Sequence, residues 1–279
     1  MNEDKIITVE EKIEEIKERI KNRPAFKASV GIAALDSCLD GFRKGQIVVI
    51  SGAPKHGKTS LGLSFTKSFV EEGHKVLWFE FEVSEEEFVE KIPPSIIGKF
   101  QFYLPKQLPS KGPMKWVEQK IIEAKAKGVE MVFIDNSDFL KDPEVSRSGN
   151  SNMAEHLDSI YTNLKNIART QDIIIFIFHH IRKSEWRSNN LPSSEELKNG
   201  AAPVAIGDII FMMMRRVNRD SEADSIYDGN RAVVGIQENR LNGKTKKVAV
   251  TFNETDRTFT EEIFTPKETK GSRSNSFYG

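Results

Sequence analysis

The chain has 279 residues, 41 basic and 41 acidic side chains that cancel, and a single cysteine. That length suits one large α/β domain with a short appendage, and the balanced charge excludes a globally basic nucleic-acid binder, leaving only local basic surface. Lone Cys38 excludes a disulfide framework or a cysteine metal cluster within one chain and reads as a small buried apolar residue, while no stretch approaches a membrane span and the charged N-terminus has no apolar signal core.

Residues 8–22 read as a helix with Ile13, Ile16 and Ile20 on one narrow stripe and Thr8 with Glu11 as a capping box. The stripe suits either docking onto another surface or a solvated helix, and Arg23-Pro24 breaks it. Residues 30–41 give a short amphipathic helix ending at Gly41, followed by a turn at Lys44-Gly45. The apolar, β-branched run 47–50 then breaks into Ser51-Gly52-Ala53-Pro54-Lys55-His56-Gly57-Lys58-Thr59-Ser60, which fits the phosphate-loop spacing G-x-x-x-x-G-K-[ST]. Polyphosphate needs several backbone N–H groups pointing inward, and a loop without β-carbons at its tightest positions supplies them. The following helix adds its positive end. Residues 52–60 are therefore the candidate nucleotide cradle, with Lys58 reaching the β/γ-phosphates and the Thr59 hydroxyl holding Mg²⁺.

A helix over 59–72 turns Leu61, Phe65 and Phe69 inward. A strand over 75–83 carries Glu80 and Glu82 between aromatics near its C-terminal end, the end at which parallel sheets bind ligands. Ser84 caps a helix to about Ile92, a short strand is expected near 100–104, and a helix over 113–127 stops at Gly128. The buried strand 131–135 ends in Asp135, either a metal-shell carboxylate or a turn residue. A polar loop over 142–150 precedes a helix to about Thr170, and the strand 173–178 ends in His179-His180. The long polar stretch 182–199 is the length at which loops are functional or disordered. Gly207-Asp208 leads into the strand 209–214, and strands over 232–237 and 246–252 form a hairpin with an Asn242-Gly243 turn and a basic tip. From Thr265 the tail lacks apolar content and reads as disordered.

The ordered series of motifs resembles the RecA-like ATPase core, most closely the C-terminal motor domain of DnaB-type replicative helicases, over about Val30 to Phe252. Its carriers are the Gly31–Gly45 lead-in, the phosphate loop, Phe79-Glu80-Phe81-Glu82-Val83-Ser84, the Asp135 strand, the His179-His180 strand, the stretch Pro192 to Asp208, and the Glu238-Asn239-Arg240 hairpin. The resemblance implies an α/β fold with a mostly parallel sheet flanked by helices, a C-terminal β-hairpin and a short N-terminal helix. It divides the chain into a linker-like helix at 1–28, an ATPase domain at 29–264 and a tail at 265–279. By the same resemblance Glu82 aligns the attacking water, with Glu80 as its competitor on sequence alone. Asp135 is the Walker B acid, and His180 stands where the family has a phosphate-sensing glutamine. Arg240 is the finger inserted into a neighbouring subunit's site, while the family's companion lysine is here Glu238. The loops after Asp135 and His180 match DNA-contacting loops, making Arg147, Lys183, Arg187 and Lys198 candidate contacts for single-stranded DNA or plain solvated charges. The Ile13/Ile16/Ile20 helix stands where the family has a linker, with no primase-docking domain before it.

The implied function is a ring-forming, hexameric motor using Mg-ATP on single-stranded DNA, with other replication proteins as partners, in the cytoplasm or in a host's cytoplasm if phage-encoded. A KaiC- or RadA-like recombination or signalling ATPase is the alternative, and a nucleotide-binding assembly protein without turnover a third.

Overall fold

The computed structural model describes residues 8–22, 27–99, 112–141, 153–181, 191–197, 201–217 and 227–262. Eight strands form one sheet: β1 (Ile47–Gly52), β2 (Val76–Glu80), β3 (Met131–Asp135), β4 (Ile174–His180), β5 (Ile209–Val217), β6 (Tyr227–Asn239), β7 (Lys246–Asn253) and β8 (Thr258–Glu261). Their order is β2-β3-β4-β1-β5-β6-β7-β8, parallel from β2 through β5 and antiparallel from β5 to β8. The helices are α1 (Val9–Asn22), α2 (Ala33–Leu39), α3 (Lys58–Glu71), α4 (Glu85–Lys91), α5 (Pro113–Ala126), α6 (Met153–Thr170) and α7 (Ala202–Ile206).

Strand alternation divides the core into two layers. Val48, Ile50, Trp78, Phe133, Phe176, Phe178 and Phe211 face α2 and α3. Ile47, Val49, Phe79, Ile134, Ile175 and Ile177 face α5 and α6, which contribute Val117, Ile121, Leu157, Tyr161 and Leu164. Under α3 the rings of Trp78, Phe133 and Phe176 stack at centroid distances of 4.7 and 4.3 Å, and the Trp78 indole N–H donates to Thr66 Oγ1 at 2.9 Å. Gly62 lets α3 lie close, since a β-carbon there would sit 2.4 Å from Phe178 Cζ.

Two aspartates of the sequence pattern prove to be anchors. Asp36 accepts from Ser29 Oγ at 2.7 Å and Val30 N–H at 2.8 Å, pinning the segment before α2. Asp208 accepts from Ile47 N–H and Lys165 Nζ, tying together the beginnings of β1 and β5 and the helix α6.

The expected elements form with some changes of extent. β2 stops at Glu80 instead of running to Val83, because the Glu80 side chain takes the N–H groups of Glu82 and Val83 into a turn. β5 and β6 run longer than expected, and β8 was not foreseen. The β6–β7 connection spans 240–245: Gly243, at φ +69°, donates its N–H to Asn239 O at 2.7 Å, closing a wider turn than a two-residue Asn-Gly hairpin. Cys38 is buried, as expected. Ile13 is exposed on α1. The expected strand near 100–104, the loop 142–150 and the tail from Thr265 lie outside the described residues.

Candidate functional site

The phosphate loop spans the end of β1 and the start of α3, at the C-terminal edge of the parallel strands. The turn demands glycine at two places. Gly57 opens α3 at φ +92°, and a β-carbon on Gly52 would lie 2.3 Å from the carbonyl oxygen of Met213. Lys58 is 7 % exposed and donates to the carbonyls of Gly52 at 3.3 Å and Ala53 at 3.1 Å. Burial pushes its ammonium below the usual lysine range, against the opposing pull of Asp135 and Glu82.

Asp135, at the end of β3, accepts from Thr59 Oγ1 at 2.6 Å. Burial lifts its carboxyl to about 6, despite the Thr59 hydrogen bond. Side by side under the loop, these hard oxygens are a donor pair that suits Mg²⁺, which takes one or two protein groups and fills its shell with phosphate and water. No cluster of three or more His, Cys, Asp or Glu able to hold a metal occurs among the described residues, as such a shared shell requires none.

Glu80 and Glu82, indistinguishable by type, occupy different worlds. Glu80 is 3 % exposed, and burial together with nearby Asp135 raises its carboxyl to about 8. Glu82 lies past the strand end, about half exposed, and its Oε2 accepts from Asn136 Nδ2 at 2.7 Å. The same amide nitrogen sits 3.1 Å from His180 Nε2, at the end of β4, where that ring nitrogen can accept a hydrogen bond from its second proton. Asn136, which follows Asp135 across a cis peptide, thus bridges two residues singled out from the sequence. Sequence reasoning missed it. The cue was available: a polar side chain directly after an apolar strand that ends in a carboxylate.

His56 belongs to the predicted cradle, but its ring is held by the sheet. It is 1 % exposed, and its Nδ1 accepts the Arg215 backbone N–H at 3.0 Å. Burial, with Lys58 and Arg215 adding repulsion, lowers its pKa to about 4, so the ring is neutral. Beside it a cleft of about 250 Å³ opens between the loop, at Lys55, Gly57 and Ser60, and the antiparallel strands, at Arg215, Asn230 and Phe252. His179, the neighbour of His180, turns to the other layer and meets Ser137 Oγ at 2.9 Å and Tyr161 OH at 3.2 Å.

The structure does not bring Arg240 to this group. Its N–H donates to Asp208 O, and its guanidinium caps α7 through the carbonyls of Val204 at 2.8 Å and Ala205 at 2.7 Å. Asp208 precedes by five residues Met213, the strand partner of Gly52, so Arg240 lies about 16 Å along the sheet from the loop, at the opposite edge. Glu238, two residues earlier, accepts from Ser194 Oγ at 2.9 Å. Arg147, Lys183, Arg187 and Lys198 lie outside the described residues.

Comparison with known proteins agrees with this architecture. The model of the family described as "DnaB-like helicase C terminal domain" matches residues 28–96 and 110–261. A curated relative from Trieres chinensis, "Probable replicative DNA helicase", is 23 % identical across 76 % of this chain and 52 % of its own length, so this chain spans about half of that relative. Among solved structures, one described as an "ATPase Domain" superposes with a TM-score of 0.73 at 19 % identity, covering 93 % of this chain and all of that one. A structure described as "The Structure Of A DnaB-Like Replicative Helicase And Its Interactions With Primase" gives a TM-score of 0.72 at 19 % identity, covering 91 % of this chain and 68 % of the other. The likenesses to solved structures establish the fold. A family match over most of the chain establishes membership: this chain belongs to the DnaB-like helicase C-terminal domain family and has a RecA-like P-loop fold.

Proposed function

We propose that this chain works as a ring-forming motor that hydrolyses Mg-ATP and moves on single-stranded DNA, each site shared by two copies. The observation that carries the reading is the convergence of Lys58, Thr59, Asp135 and Glu82, with His180 joined through Asn136, at one edge of the sheet, while Arg240 stands at the other.

In this reading Lys58 exchanges the carbonyls of Gly52 and Ala53 for β- and γ-phosphate oxygens. Thr59 and Asp135 would hold Mg²⁺, which would supply positive charge against the phosphates. The cleft beside Ser60 and Phe252 has room for the nucleoside. Glu82, partly exposed and held by Asn136, orients the attacking water. His180, on the other side of that amide, reports the state of the γ-phosphate to β4. Arg240 cannot reach its own chain's loop, so its charge serves the site of an adjacent copy. The hexamer, the other replication partners and the division into a linker helix at 1–28, an ATPase domain at 29–264 and a tail at 265–279 belong to the same proposal, carried over from the resemblance. No helix among the described residues is long and apolar enough to cross a membrane.

The test is turnover of the purified chain with and without single-stranded DNA. Stimulation by DNA, abolished in Lys58→Ala, is the expected result. A ring whose ATPase ignores DNA favours the KaiC- or RadA-like alternative, and nucleotide binding without turnover favours an assembly protein.

A further inference from the structure

Glu80 has no task in the scheme above, yet it is among the most buried carboxyl groups of the site. Its Oε1 accepts two backbone N–H groups, from Glu82 at 2.8 Å and Val83 at 3.2 Å. Phe81 N–H donates to Asp135 O at 2.8 Å. All three N–H groups of the turn between β2 and the Ser84 cap of α4 are thereby committed, two of them to one carboxyl oxygen. The other oxygen, Oε2, is buried with no hydrogen-bond partner among the described residues. A glutamate that endures such burial is costly to the fold, and its acceptor oxygen is what the turn gains from it.

We infer that Glu80 is a positioning residue: by taking the N–H groups of Glu82 and Val83 it fixes the turn so that the Glu82 carboxylate stays on Asn136 and faces His180. This rests on the reading of Glu82 as the group that orients water. Glu80 itself is unsuited to that work, being sealed from solvent with its Oε1 already engaged. The size of the effect follows from what else holds the turn. Phe81 packs against Phe79, Trp116 and Phe139, and Val83 against the α3 layer, so both ends keep an anchor without Glu80. Displacing a reacting group by about 1 Å costs on the order of 100-fold, and a partly anchored turn should lose less, about tenfold.

The experiment measures kcat and KM for ATP in the full chain for Glu80→Ala, Glu80→Gln and Glu82→Gln, with thermal midpoints and affinity for a fluorescent ADP analogue as controls. Glu80→Ala is expected to lower kcat about tenfold with KM changed less than about twofold. Glu80→Gln should keep most of the rate, because its amide oxygen accepts the same two N–H groups. If Glu80→Ala does not fold, Glu80→Met, of similar length and without an acceptor, takes its place. A normal kcat in Glu80→Ala or Glu80→Met beside a slow Glu82→Gln overturns the positioning role alone, as does a Glu80→Gln as slow as the alanine. Full turnover in Glu82→Gln instead overturns the reading of Glu82 on which the inference stands.

Discussion

Acidification should loosen the phosphate loop through His56. In the folded chain this ring is neutral because it is buried, accepts the Arg215 N–H on Nδ1, and faces the positive charges of Lys58 and Arg215. Its pKa is about 4, against about 6.5 for an unfolded histidine. A depressed folded value gives stability that is fully present above pH 6.5 and is lost as the pH falls toward 4, since only the unfolded chain takes up the proton. Linkage between those two values amounts to about 2 kcal/mol at pH 5 and about 3 kcal/mol at pH 4. Asp135 and Glu80, both with raised carboxyls, titrate nearby with the opposite sign, so the total pH profile of stability blends all three. A difference isolates the histidine. In His56→Asn the amide oxygen takes the place of Nδ1 and can accept the Arg215 N–H but cannot titrate. Urea unfolding of nucleotide-free wild type and His56→Asn at pH 7.5 and pH 5 should show the gap moving by about 2 kcal/mol in favour of asparagine at the lower pH. Parallel profiles would refute the argument, for they would mean that His56 protonates equally easily in both states.

Further expectations concern packing and charge. Gly62→Ala puts a β-carbon 2.4 Å from Phe178 Cζ and 3.0 Å from Trp78 Cη2, so overpacking of about 1–3 kcal/mol should outweigh the helix-propensity gain of about 1 kcal/mol, seen as a lower urea midpoint. Arg231 grips Glu262 with two hydrogen bonds of 2.8 Å, which hold the Glu262 carboxyl down at about 2. Because the Arg231 side chain is well exposed, Arg231→Leu should cost no more than about 1 kcal/mol at pH 7, a cost that shrinks as the pH falls below 4.5. Arg240→Ala should abolish turnover while leaving nucleotide affinity nearly intact, measured by titration of a fluorescent ADP analogue. Markedly weaker binding would place its role elsewhere.

The sequence made the fold legible because parallel strands buried on both faces are written as unbroken apolar runs. Ile47 to Ile50, Met131 to Ile134 and Ile174 to Phe178 could hardly be anything else. The loop was equally readable, since Gly52 and Gly57 are fixed by sterics that no other residue meets. What stayed hidden was side-chain direction. Glu80 and Glu82 share a residue type and lie on one apparent strand, and only the turn at Glu80 sends one inward and the other toward Asn136. His56 looked like a phosphate contact by position, while burial against β5 gave it another partner. β8 escaped because Thr258 to Glu261 is short and half polar, although the Asn253-to-Arg257 turn before it was a usable signal. Glu238 in place of a lysine was visible, but its bond to Ser194 was not.

The proposal that two copies share each triphosphate site is tested most directly by mixing two dead chains. Lys58→Ala lacks a working loop and keeps Arg240, while Arg240→Ala has the reverse defect. In rings assembled at random from equal amounts of both, about a quarter of the junctions pair an intact loop with an intact arginine. ATP turnover should therefore reappear on mixing, at up to about a quarter of the wild-type rate. A mixture as inactive as either component alone would contradict the account.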